Sequence, residues 1–361
     1  STSRRQRQMC IRDRGADALG QALSLTESTN RYELADFSEY NDIFLLHNSS
    51  GKLNGVKESI FMENIKDYAA RWRWNMVNDF RPQSIEYSGI KCYPTANYVN
   101  YYGMQNGYPI NDMTKADAES GYDPTHPWKN RDPRFYKTIM FDGVKWKSTG
   151  GAGGTAELFT GGRESEEANE KKGCFTAYMN SKLCPQLMNT VDGYKENNIM
   201  ILSLMRLADV YLMYAEATAV GYNGPKGKAA TYSLTAEEAL NKIRERAGVA
   251  PVLDKFLGST ADFLSELRRE RAVELSFEGF RFIDLRRWML LTQYPYTLKT
   301  KIEFDRADPS DYNYDEPEEN AIKNLREVVL LERKYTDRHY WYPLPKKDVS
   351  MYEGFYQNPG W

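Results

Sequence analysis

Cysteine and histidine are scarce: four Cys and three His in 361 residues. Cys10, Cys92, Cys174 and Cys184 show no C-x-x-C spacing and fall short of the density of a disulfide scaffold. Free, partly buried thiols are therefore expected, with a Cys174 to Cys184 bridge across a short hairpin as the alternative. His47, His126 and His339 lie far apart among loop residues and form no pair at helical spacing, so neither a metal nor a cofactor is expected. No run of 18 apolar residues occurs, which excludes a membrane-spanning helix. The opening STSRRQRQMCIRDR has no apolar core and no cleavage site, and residues 1–14 are set apart as a non-native or disordered leader. An excess of one charge sign is also missing. Forty-eight Lys and Arg face fifty Asp and Glu, for a net charge of -2, which argues against nucleic acid or an anionic bilayer as partner.

Catalytic signatures are missing as well: there is no H-E-x-x-H, no phosphate-binding Walker loop, no G-x-S-x-G and no EF-hand loop. GAGGTA, residues 151–156, is a degenerate dinucleotide fingerprint, but the following TAELFT gives out at another Gly-Gly before a full helix can form, and a flexible surface loop is expected. Asp and Glu are abundant enough for a carboxylate-pair glycosidase, but abundance is no signal, because the separation that matters is spatial.

What is present is the composition of a folded chain with a sizeable core: 41% hydrophobic, 27% charged and 13% aromatic residues. Tyrosine stands out at 26 residues, alongside 15 Phe and 7 Trp. Such rings pair an apolar face with a polar rim; most serve as core, and only clustering argues for ligand contact. The length fits two domains or one large domain with long insertions equally well, and the texture divides the chain in three, with helix pairs of tetratricopeptide-like type in the middle. Residues 15–196 are loop-rich, 197–293 carry helical periodicity, and 294–361 return to irregular structure.

In IMILSLMRLADVYLMYAEATAV, Leu204, Leu207, Ala208, Tyr211 and Ala215 recur at three- and four-residue steps, predicting a long helix that ends at Gly221. A second helix starts at Thr235, with Glu238 as capping-box partner, and runs through Leu240 and Ile243 to Gly248. A third begins at Ser259 or Thr260 and stops near Gly279; a fourth, FRFIDLRRWMLL, ends before Pro295. Packed as two antiparallel pairs, these helices should bury Leu204, Leu207, Tyr211, Ile243, Leu267 and Leu275.

The third helix carries an anomaly. Phe263, Leu264, Leu267 and Leu275 define its apolar arc, and Arg271, Glu274 and Glu278 project into the middle of it. Buried charges persist when paired and hydrogen-bonded, so these three are expected to close a network with Arg281, Asp284 and Arg287. An acid/base cluster is the functional alternative. The structural reading is preferred, because Arg alternating with Glu on adjoining helices fixes helix register and no nucleophile or His accompanies it.

At these residues the chain resembles the SusD/RagB family. RRERAVELSFEGFRFIDLRRW looks like that family's C-terminal signature, and NRDPRF, RLADVYLMYAEA, LNKIRERAGV and the closing YWYPLPKKDV with QNPGW follow in the expected order over roughly 57–361. The resemblance implies one mainly α domain over 15–361, with tetratricopeptide-like helix pairs, a large irregular loop-rich portion that carries the ligand site and few short strands. It also implies a binding protein, not an enzyme, that captures glycans and sometimes peptides at the outer-membrane surface and delivers them to a SusC-like TonB-dependent transporter. Family members are lipid-anchored at a Cys absent from this chain, and their N-terminal part is expected to be incomplete here. The rival readings are a surface glycosidase, a tetratricopeptide-like scaffold for a protein partner, and capture of peptide instead of glycan.

NRDPRF is expected to be structural, with Asp132-Pro133 as a fixed turn and Arg131 and Arg134 tying loops to helices. The ligand site is placed upstream of it. In RWRWN, Trp72 and Trp74 lie two residues apart and in an extended segment would project from one face as a stacking platform. Asn75, Asn78, Asp79 and Arg81 supply polar contacts nearby, Tyr87 and Tyr93 extend the arc, and Trp146 is a more distant candidate.

Overall fold

The computed structural model describes residues 4–46, 55–62, 93–148, 151–183, 199–200, 203–351 and 353–361. The first helix, α1 (Arg4–Thr29), runs through the residues set apart as a leader and docks through its part from Ala16 to Glu27. Ala16 and Leu23, spaced two turns apart, are fully buried, and Tyr222 donates to Asp17 across the contact at 2.8 Å. Short strands follow: β1 (Leu45–Leu46) and β2 (Ser59–Met62). The loop-rich part contains two short helices, α2 (Ala96–Val99) and α3 (Pro133–Thr138), with the two-residue strands β3 (Ile139–Met140) and β4 (Met179–Asn180) pairing antiparallel.

Next come β5 (Ile199–Met200), antiparallel to β1, and β6 (Ser203–Arg206), antiparallel to β2. The long helix expected from Ile199 therefore begins only at Leu207, and Leu204 sits on β6 with 49% of its surface exposed. Its apolar neighbours fit the helical period, but pairing with β2 satisfies the backbone of residues 203–206 instead. The helix itself, α4 (Leu207–Gly221), is buried on most sides and packs against α1, α5 (Ala236–Ala247) and α6 (Thr260–Glu274). The start of α5 is the reciprocal cap expected: Thr235 Oγ1 accepts from the Glu238 amide and the Glu238 carboxylate accepts from the Thr235 amide. Gly248 ends it in the left-handed region at φ 71°, which a residue with a Cβ adopts only under strain. Ser259 caps α6 by accepting from Asp262 N.

The fourth helix, α7 (Phe280–Arg287), is shorter than expected and makes few contacts with α6. Its Leu285 packs with Leu290, Leu291 and Tyr340 of the C-terminal stretch, while Phe280 packs against the helical core and Asp284 receives Arg271 of α6. That stretch is also less irregular than expected. The strands β7 (Leu298–Arg306) and β8 (Ile322–Glu332) form an antiparallel hairpin from Leu298 opposite Glu332 to Arg306 opposite Ile322, with register shifts between Lys299 and Thr300 and between Glu303 and Asp305. Thr300, Ile302, Phe304 and Arg306 point inward and alternate with Lys301, Glu303 and Asp305, a period of two legible in KTKIEFDR. A short helix, α8 (Lys346–Met351), precedes the end.

Two cores result. One gathers Leu207, Tyr211, Ile243, Leu267 and Leu275 between the helices, as the periodicity predicts. The other is built on Trp128, Phe135, Phe141, Trp146, Tyr178 and Phe304. Cys174 belongs to the second as a free thiol bonded to Tyr178 O, and burial pushes its pKa up to about 11. The glycine stretch is not a free loop: Gly154 O accepts from the amides of Trp146 and Lys147, and Ala156 is fully buried.

Candidate functional site

Between the two cores lies a continuous ion network. Glu274, on the apolar arc of α6 and fully buried, receives Arg206 at 2.7 Å, Arg246 at 2.5 Å and Arg134 at 3.0 Å. Arg206 also reaches Glu58 and Glu278, and Lys182 donates to Glu278 at 2.7 Å. On the other side Arg134 joins Asp132 and Glu270, Arg244 joins Glu270 and Glu266, and Arg269 closes on Glu266. Six carboxylates (Glu58, Asp132, Glu266, Glu270, Glu274, Glu278) thus meet six cations (Lys182, Arg134, Arg206, Arg244, Arg246, Arg269), and the buried net charge is zero. Burial alone would raise the carboxyls, but their partners prevail. Arg246, Arg206 and Arg134 hold Glu274 well below the usual range, and Arg269 and Arg244 hold Glu266 at about 2.

NRDPRF is the loop-side half of this joint. Asp132 caps α3 and grips Arg134 with both oxygens, while the buried Arg131 donates to the carbonyls of Val99, Tyr102 and Pro127. A second, smaller cluster joins Arg271 to Asp209 and Asp284, and Arg287 to Asp284 and Glu216. The anomaly on the third helix is therefore resolved into two structural clusters, and Arg281 belongs to neither. Its guanidinium lies 4.7 Å from the Tyr101 ring centroid and 5.5 Å from that of Tyr296, with no carboxylate partner among the described residues.

Arg281 instead faces an open cleft of about 820 Å³, a size that suits a small ligand. Its walls come from α2 and the residues that follow it (Asn97, Asn100, Tyr101), from α6, from the turn containing Tyr294 and Tyr296, and from the hairpin β7–β8. Asn97 is held in place there: its side-chain amide donates to Leu298 O at 2.8 Å, its backbone N–H donates to Thr300 Oγ1, and Thr300 in turn donates to Glu327. Arg269 pins the same wall through Tyr101 O and Gly107 O. Tyr294 is 77% exposed at the rim, a ring face open to a ligand.

The expected ligand residues are distributed otherwise. Trp72, Trp74, Asn75, Asn78, Arg81 and Tyr87 lie outside the described residues. Tyr93 and Trp146 are corrections: both are core residues. Tyr93 packs edge-on against Phe175 with its hydroxyl on Lys172 O, and Trp146 is 1% exposed, so neither offers a ring face to solvent. The cleft residues went unread although NYVNYYG and YPYT are the tyrosine clustering that composition called for.

The SusD family model matches residues 57–361. The chain belongs to the SusD family. Solved structures share the fold. A SusD-like protein from Bacteroides fragilis is 22% identical with a TM-score of 0.66, covering 91% of this chain and 59% of its own length. A SusD-like carbohydrate binding protein from the same species is 19% identical with a TM-score of 0.63, covering 92% and 59%. A SusD superfamily protein from Parabacteroides distasonis is 18% identical with a TM-score of 0.50, covering 97% and 58%. This SusD-family chain thus spans about three fifths of these relatives. No curated protein matches its sequence.

Proposed function

We propose that this SusD-family chain is a surface binding protein for oligosaccharides that does not turn them over, and that it delivers them to a SusC-like TonB-dependent transporter at the outer membrane. The observation that carries the reading is the cleft: exposed tyrosine at the rim, amides and guanidinium groups on the walls, and a framework of buried ion pairs that holds them. Rings of this kind stack on sugar faces while amide and guanidinium groups bond the hydroxyls. The acid/base chemistry of the cleft favours binding over hydrolysis. A glycosidase requires a carboxyl whose pKa is raised so that it can protonate the leaving oxygen, and Glu266, one of two carboxylates on the walls, is held at about 2 by Arg269 and Arg244. Trp72, Trp74, Asn75, Asn78, Arg81 and Tyr87, in the segment that leads into Tyr93 and α2, are proposed to add contacts to the same ligand.

The test is to incubate the chain with a panel of oligosaccharides, measure retention by ultrafiltration and follow the sugars by chromatography. Retention with unchanged sugars is expected. Shortened products would replace binding with hydrolysis, and no retention of any glycan would refute the reading.

A further inference from the structure

The charge of the cleft does not follow that of the chain. The whole sequence is net -2, yet the walls carry Lys255, Arg268, Arg269 and Arg281 against only Glu266 and Glu327. Arg269 is neutralised by Glu266, which Arg244 shares, and Lys255 reaches away to Glu119. Arg268 and Arg281 have no carboxylate among the described residues, and the buried Nε of Arg268 has no hydrogen-bond partner. Arg281 has its guanidinium 4.7 Å from the Tyr101 ring centroid and 5.5 Å from that of Tyr296; it bonds the Tyr101 hydroxyl and makes a long 3.4 Å donation to Arg268 O, which leaves further N–H groups of its five for an incoming acceptor. Lys299, near Arg281, has no carboxylate partner among the described residues: burial pulls its ammonium down to about 8, and Arg333 and Arg281 add to the effect.

In the large ion network, by contrast, six cations meet six carboxylates, and the buried Arg131 is satisfied by backbone carbonyls. Here partly buried cations repel one another, at a cost in stability that an anion arriving from solvent would offset. A planar guanidinium with N–H groups to spare suits a carboxylate, which it engages through two parallel N–H···O bonds.

We propose that the cleft selects oligosaccharides bearing carboxylate groups, that is, uronic-acid glycans, with Arg281 as the fork for the sugar carboxylate and Arg268 as the second cation. This rests on the binding reading above and narrows it. Tyr294 at the rim is the surface on which the adjoining sugar ring stacks.

The experiment is affinity electrophoresis of the chain in native gels containing polygalacturonate, alginate or glucuronic-acid-bearing xylan. Fully methyl-esterified polygalacturonate, a neutral galactan and dextran sulfate run alongside. At least one uronate polymer should retard the chain. For polygalacturonate, methyl esterification should weaken retardation at least tenfold, and for whichever uronate binds, Arg281→Gln should do the same. Arg268→Gln should weaken it severalfold, and both variants should melt no lower than the parent, because neither residue belongs to an ion cluster and the loss of either relieves repulsion between the cations. The proposal is overturned if the neutral galactan retards the chain as well as the uronates do, a result that leaves oligosaccharide binding intact. It is overturned equally by retardation in dextran sulfate alone, which marks a non-specific polyanion surface, or by unchanged uronate retention in both variants. Retardation by no polymer would overturn the binding reading itself.

Discussion

Replacing Glu274 by glutamine removes one negative charge from a buried cluster that is otherwise balanced, and does so with almost no change of volume. The carboxylate receives three guanidinium groups, from Arg206, Arg246 and Arg134. The glutamine amide keeps one acceptor oxygen but turns an NH2 group toward at least one of these donors, so that bond is lost outright and the cluster is left with a surplus positive charge. Removing one partner of a buried pair costs about 3 to 5 kcal/mol. For 361 residues, an unfolding entropy of about 2.1 cal/mol/K per residue gives about 0.8 kcal/mol/K, so the melting temperature should fall by about 4 to 7 °C. Differential scanning calorimetry reads this directly. The double variant Glu274→Gln with Arg246→Gln removes one charge of each sign, and its loss should be smaller than the sum of the single losses by at least about 1 kcal/mol. A shift below about 1 °C for Glu274→Gln, or strict additivity in the double variant, would refute the claim that charge balance in this cluster holds the two cores together.

Three further outcomes are expected. Glu266 is held at about 2 in the folded chain against a usual 4.5, and Glu274 and Glu278 are shifted in the same direction. A depressed folded pKa gives stability that is present above the unfolded value and lost as pH falls toward the folded one. Urea denaturation should therefore show stability falling between about pH 5 and pH 2, with about 3 kcal/mol from Glu266 alone; a flat profile there would contradict the assignment. Leu267→Ala in the helical core should cost about 2 to 5 kcal/mol, whereas Leu204→Ala on the exposed side of β6 should change stability by less than about 0.5 kcal/mol; equal losses at both would show that the helix was placed wrongly. Trp72→Ala and Trp74→Ala should each weaken glycan retention by about 1 to 3 kcal/mol, by analogy with base stacking on aromatic rings; parent-like binding in both would leave the ligand to the cleft alone.

The helices were legible because their signals are local. The capping box at Thr235, the glycine at 248 and the apolar steps through Leu267 each act within a few residues. The buried charges were legible from the same periodicity, since Arg271 and Glu274 fall on an apolar arc. Their partners were not. Glu274 binds Arg134, Arg206 and Arg246, whose motifs NRDPRF, RLADV and IRERAGV are visible in the sequence, but nothing local says that three distant segments converge on one carboxylate. The nearer cation, Arg281, looked like the natural partner and lies in the cleft. Leu204 misled because a helical period and a short paired strand look alike over four residues. The β7–β8 hairpin could have been read from its alternation, which the surrounding Pro, Tyr and Asp obscured. Trp146 and Tyr93 show why aromatic identity alone does not mark a sugar site: a ring becomes a platform only when one face stays open, and that is decided by tertiary packing.

The central claim is that the cleft between the α2 segment, α6 and the β7–β8 hairpin holds an oligosaccharide intact. A crystal structure of the chain soaked with a glycan it retains tests this most directly. The account predicts an unbroken sugar in the cleft, with one ring against Tyr294 and an oxygen of the ligand within about 3.2 Å of the Arg281 guanidinium. A glycan seated elsewhere with the cleft empty, or a cleaved product in the cleft, would contradict it.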